Sequence, residues 1–214
     1  MAITTLNNRA INRSDTASSG QLWTATSATA SDFQANAAGG AWNLISAQTA
    51  SNVAQIEFTD SQFTSTYDVY KVVISNAIPA TNDTTLRIRV SQSGSYNTGT
   101  NYEWGIDYLW YNDQARYGNQ SDNEFECVYN ATGSATGETY NGEFTIYNPL
   151  ATNNFKLFEG TVIHATHDSS ALNRSDFAGR FKTGEGTALD AFKFYQSSGN
   201  ITSGLFVLYG LSKS

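Results

Sequence analysis

From Ala54 onward, hydrophobic and polar residues alternate in short runs. Tyr70, Val72 and Ile74 fall on one side of an extended segment, and Leu86, Ile88 and Val90 repeat the pattern with Arg87 and Arg89 opposite. Period-two alternation marks half-buried β-strands. Pro79, Asn82 and Asp83 lie between the two runs and favour a turn, so the runs are expected to form a loop-connected antiparallel pair. Further strands are predicted near 56–58, 102–111, 125–129, 143–147, 156–164, 177–182, 191–195 and 205–209. None of these runs has helical periodicity. Many short strands punctuated by Gly, Asn and Ser predict an all-β fold, an antiparallel β-sandwich of jelly-roll-like type. The run Leu205, Phe206, Val207, Leu208, Tyr209 is apolar on both faces. It is therefore expected either at the centre of the sandwich or against another subunit.

Residues 1–50 differ in kind. Ala, Ser, Thr, Asn and Gln dominate there, and the large apolar side chains are too widely spaced to build a core. Such a segment cannot offset its own ordering entropy, so an extended N-terminal arm is predicted before a sandwich domain at 51–214. Trp23, Phe33 and Trp42 read as anchors spaced along that arm. The alternative is a disordered leader with incidental aromatics.

The balance of 19 acidic against 12 basic residues gives a net charge of −7, with no basic block. Nucleic acid is therefore not an expected partner. Cys127 has no thiol to pair with and reads as a small buried apolar residue. The opening residues lack the basic and apolar regions of a secretory leader, and no apolar run is long enough to cross a bilayer. The chain is expected to be made in a cytoplasm and not to insert into membranes. Asn-x-Ser/Thr triplets at Asn82, Asn119, Asn130, Asn173 and Asn200 then read as turn chemistry rather than glycosylation sites.

The search for chemistry returns little. His164, His167 and Asp168 are weak metal candidates, because the two imidazoles are three apart at a strand end and no third nitrogen or sulfur ligand is available. The carboxylates are scattered, and a glycosidase pair is defined by a spatial gap that spacing along the chain does not supply. No phosphate loop or nucleophile elbow is present. The expectation is a non-enzymatic protein without a cofactor. The richest surface is 102–117, where Tyr102, Trp104, Ile106, Tyr108 and Trp110 fall on one face. Past that strand, Trp110, Tyr111, Tyr117 and Arg116 mix aromatic and planar polar groups, the materials of a glycan- or partner-binding rim.

Three stretches carry a family resemblance: NNRAINRSDTASSGQLWTATSATASDFQ, YDVYKVVISNAIPATNDTTLRIRVS and FKFYQSSGNITSGLFVLYGL. Together they resemble small virion structural proteins of tailed bacteriophages. The resemblance implies attachment to other virion proteins, of the tail or capsid, through the N-terminal segment, with a β-sandwich displayed outward, commonly as a homotrimer. A short tail-fibre or receptor-binding protein that meets a host-surface glycan comes first, a capsid decoration, cement or head-fibre protein second, and a carbohydrate-active enzyme third. The resemblance supplies no catalytic residue. The chain also lacks the long shaft usual in a fibre.

Overall fold

The computed structural model describes residues 21–25, 31–35, 42–184 and 186–213. In chain order the strands are β1 (Gln21–Ala25), β2 (Ser31–Ala35), β3 (Trp42–Val53), β4 (Gln55–Phe58) and β5 (Tyr67–Pro79). They continue as β6 (Leu86–Gln92), β7 (Ser95–Tyr96), β8 (Tyr102–Trp110), β9 (Asp113–Asp122) and β10 (Phe125–Glu126). The last five are β11 (Tyr140–Tyr147), β12 (Lys156–Ala165), β13 (Leu172–Phe181), β14 (Ala191–Gln196) and β15 (Ile201–Ser212). One 3₁₀ turn, Lys182–Gly184, is the helical element among the described residues, and no helix there is long and apolar enough to cross a membrane.

The chain divides into two units, Met1–Gly39 and Gly40–Ser214. In the first, β1 and β2 pair antiparallel with Trp23 opposite Phe33. In the second, eight strands form a sheet in the order β3-β15-β5-β11-β12-β13-β8-β9. The smaller sheet runs β10-β6-β14-β4, with β7 paired to β6, and every pairing in both is antiparallel. The fold is an antiparallel β-sandwich, as the alternation predicts.

The core lies where the inward faces of the two sheets meet. Tyr70, Val72 and Ile74 of β5, Phe144 and Ile146 of β11, and Phe206 and Leu208 of β15 come from the large sheet. Leu86, Ile88 and Val90 of β6 and Phe192 and Phe194 of β14 come from the small one. Aromatic rings bridge the layers: Phe194 sits 5.3 Å from Phe144 and 5.6 Å from Phe206, and Phe125 of β10 sits 4.9 Å from Phe158. Tilted contacts of this kind add to the area that the rings bury.

Two sequence expectations need correction. β5 and β6 do not pair: β5 lies between β15 and β11 in the large sheet, and β6 between β14 and β10 in the small one. Residues 80–85 carry the chain from one layer to the other, so the matching alternation records two strands facing one core from opposite sides. The sandwich also begins before residue 51. β3 pairs with β15 from Trp42 to Val53, so Trp42 is the first residue of an edge strand and not an anchor on an arm. The residue is 39% exposed, with the Lys71 ammonium 5.2 Å from the centre of its ring.

β15 is an interior strand of the large sheet, between β3 and β5. Phe206 and Leu208 are wholly buried and Val207 nearly so, whereas Tyr209 is half-buried and Leu205 is exposed. Residues that tolerate a left-handed backbone take it both in loops, at Asp83 and Asn130, and within strands, at Asn52 near the end of β3 and at Asn76 where the β5–β11 register shifts, all with φ between 51° and 62°. Cys127 is fully buried, and that burial pushes its thiol well above the ordinary range.

Candidate functional site

Strands β8 and β9 form the hairpin that carries the predicted rim, and the pleat divides its residues between the two faces of the sheet. Tyr117 stands opposite Ile106 on the inward side, 5.3 Å from both Trp104 and Tyr129, with its ring 46% exposed. Tyr108 stacks on Tyr129 at 3.9 Å. Trp110 is half-buried on the same side, and Tyr111, the most exposed of the group, sits in the turn edge-on to it at 5.7 Å. Arg116 lies on the opposite face, where its guanidinium bonds Asp107 at 2.8 Å. The aromatics therefore gather at the hairpin and Arg116 does not join them.

The metal candidates also separate. His164 is 3% exposed on the inward face of β12, with Nδ1 2.6 Å from Thr132 Oγ1 and the Tyr140 ring 5.6 Å away. Burial lowers its pKa to about 4, so the imidazole is neutral at pH 7. His167 lies in the following turn, 3.6 Å from Asp83, and the Asp168 side chain bonds Ser169. No group of three potential ligands converges among the described residues. His164, Asn173 and Trp110 form a row across β12, β13 and β8, and each keeps a buried nitrogen without a protein partner. Such a row is a place for internal water.

The outward face of the large sheet holds a groove of about 770 Å³. Register places Thr145, Glu159, Ala178, Gly105 and Gly118 in one row across β11, β12, β13, β8 and β9. A larger row flanks it: Tyr147, Leu157, Arg180 and Glu103, with Asn119 and Gln120 closing the β9 end. On the other side stand Glu143, Thr161, Asp176, Asp107 and Arg116. Ala178, Gly105 and Gly118 form the low floor of the groove, the Tyr147-to-Glu103 row is its wall, Glu159 stands at its β12 end, and the Glu143-to-Arg116 row lies beyond it on the same face.

The groups around the floor are held in place. Arg180 donates from Nε and Nη2 to one oxygen of Glu103, and the Phe155 ring covers its guanidinium at 4.7 Å. Tyr147 donates its hydroxyl proton to Glu159, and that hydrogen bond, with burial and the carboxylate charge behind it, pushes the phenol up to about 12. Asp176 accepts from Thr161 at 2.8 Å and from Arg174 at 2.9 Å. The Gln120 carboxamide makes no hydrogen bond among the described residues. Sequence reasoning missed this groove because its floor takes one residue from each of several strands distant in the chain. The one local signal is a glycine, Gly105, in the middle of a strong strand.

No protein-family model and no curated protein sequence matches the chain. Among solved structures, a likeness is found to a fructofuranosidase variant from Schwanniomyces occidentalis complexed with fructosylnystose. It has 13% sequence identity and a TM-score of 0.23, and covers 90% of this chain and 39% of that one. At that score the likeness carries no argument about fold or activity.

Proposed function

We infer that this chain is a non-enzymatic structural protein on the exterior of a tailed-phage virion, attached through its N-terminal unit and displaying the sandwich to a partner. A short tail-fibre or receptor-binding protein is the specific form proposed, with a homotrimer as its assembly. The observation that carries the reading is the division of labour within the chain. Met1–Gly39 is one unit, while Gly40–Ser214 closes its own core and has a broad outward sheet face of mixed polar and apolar residues. One part is available for attachment and the other for contact. The virion setting rests on the three resembling stretches. The groove carboxylates act as ion-pair and hydrogen-bond partners, Glu103 to Arg180 and Glu159 to Tyr147, which favours binding over acid–base chemistry.

Quantitative mass spectrometry of purified particles tests this. The chain should be present at a handful of copies per particle, at the tail. Hundreds of copies would move it to the shell as a decoration protein, and absence from particles would end the virion reading.

A further inference from the structure

The groove combines an open floor, fixed polar groups around it and a charge pattern that selects among ligands. We propose that it binds a neutral oligosaccharide laid across the strands of the large sheet. This deepens the reading of the sandwich as a displayed binding module and is independent of where in a particle the protein sits.

The floor comes first. Gly118 is required by the fold, because a Cβ there would lie 2.6 Å from the Trp104 carbonyl oxygen. Gly105 is not. A Cβ on Gly105 would meet nothing closer than the Tyr117 carbonyl at 3.9 Å, an ordinary contact. A glycine in mid-strand weakens the strand, and besides bulges and close backbone crossings such glycines mark places where a ligand approaches the sheet. Its neighbour across the ladder, Ala178, is exposed and equally small. At about 4.8 Å between strands, the small positions on β13, β8 and β9 give a low floor roughly 10 Å long, bounded on β12 by Glu159. Flanking residues on the same face lie about 7 Å away along each strand, which sets the trough width.

The surrounding side chains choose the chemistry. Backbone groups on a sheet face are already spent in the ladder, so the groove must recognise its ligand with side chains. An extended peptide instead seeks a free sheet edge, where backbone hydrogen bonds remain to be made. The groove offers a guanidinium fixed by Glu103 and Phe155, the second oxygen of Glu103, the Gln120 carboxamide and the Glu159 carboxylate. Forked donors and acceptors of this kind match hydroxyl pairs on a sugar ring. Leu157, 48% exposed, and Ala178 supply apolar surface for the C–H face of the ring.

Charge then narrows the class. Around the trough Glu103, Asp107, Glu143 and Asp176 are each paired with a cation, Arg180, Arg116, Lys71 and Arg174, Glu159 is bonded by Tyr147, and the Lys182 ammonium is held by the Gln120 carbonyl and Ser121, on a chain of net charge −7. A sulfated or uronate-rich polymer would therefore find no unengaged cation to pair with there among the described residues and would meet a chain of net negative charge, whereas a neutral one needs neither.

The test uses the full chain on an array bearing neutral hexose and N-acetylhexosamine oligosaccharides beside sulfated and uronate-containing ones, followed by calorimetric titration with the best neutral binder. Gly105→Val should fill the trough, keep or raise the melting temperature, and weaken binding roughly tenfold or more. Ala178→Leu fills the same trough from an exposed position and decides the matter if Gly105→Val fails to fold. Gln120→Ala should weaken binding, while Tyr111→Ala, at the hairpin turn, should leave it unchanged. The proposal is overturned if only anionic glycans bind, if no glycan binds, if both trough-filling variants bind as the parent does, or if Tyr111→Ala removes binding. A blank array with the protein still found in particles would remove the groove and leave the proposed function standing. Binding by a protein absent from particles would do the reverse.

Discussion

Lowering the pH should unfold this sandwich from the inside, through His164. The imidazole is 3% exposed, bonded through Nδ1 to Thr132 and packed against Tyr140, and burial depresses its pKa from 6.5 to about 4. The folded state holds the ring neutral while the unfolded chain binds a proton below pH 6.5. Stability from this site is therefore complete above about pH 6.5 and is lost as pH falls through the interval down to about 4. A gap of about two and a half pH units, at about 1.4 kcal/mol each, makes the loss on the order of 3 kcal/mol. That is a large share of the 5–15 kcal/mol typical of a domain. Urea unfolding at pH 7.5, 6.5, 5.5 and 4.5 measures it, with His164→Phe as the reference that removes the titrating group. The parent should lose about 2.5 kcal/mol more than the variant across that range, even though the variant is less stable at pH 7.5 for want of the Thr132 bond. Equal slopes would show that His164 does not carry the pH dependence.

Other perturbations follow from the packing. Phe206→Ala, at a wholly buried position facing Phe194, should cost roughly 3 to 5 kcal/mol in chemical denaturation, and an unchanged midpoint would place the ring at the surface. Glu124, 6% exposed, accepts hydrogen bonds from Arg87, Arg89 and Tyr195 on the outward face of the small sheet. Glu124→Ala should therefore cost about 3 kcal/mol by leaving two guanidinium groups without their shared partner. A chain of residues 40–214 should keep the parent melting transition, whereas residues 54–214 should melt lower, because removing β3 strips β15 of one neighbour. A high-resolution crystal structure should show ordered water at the buried nitrogens of Trp110 and Asn173.

The strands that face the core were legible in the sequence because burial on one face imposes alternation on that face. Phe192 and Phe194, or Tyr70, Val72 and Ile74, announce both a strand and the side that is buried. β9 announces nothing. Nine of its ten residues are exposed, so neither face constrains composition and Asp113–Asp122 reads as loop. β3 hides for a similar reason: at the sheet edge only Ala50 is buried, and its polar composition matches the segment before it. Alternation also says which face is covered, but not which strand lies alongside. That is why β5 and β6 looked like a hairpin when each belongs to a different layer. The hairpin aromatics were found by composition, since Trp110, Tyr111 and Tyr117 lie close in the chain. The groove was not, since Gly105, Gly118, Ala178 and Glu159 meet only through the order of the strands. Of the three residues read as anchors, Trp42 belongs to the sandwich, and Trp23 and Phe33 stand opposite each other in β1 and β2.

Attachment through the N-terminal unit is the claim on which the functional account turns, and particle incorporation measures it directly. The full chain and residues 40–214 would each be supplied to assembling phage particles lacking the native protein, and copies per purified particle counted by mass spectrometry against isotope-labelled peptides from the sandwich. The account predicts that the full chain is incorporated and that residues 40–214 remain folded in solution but absent from particles. Incorporation of residues 40–214 at the parent copy number would contradict it.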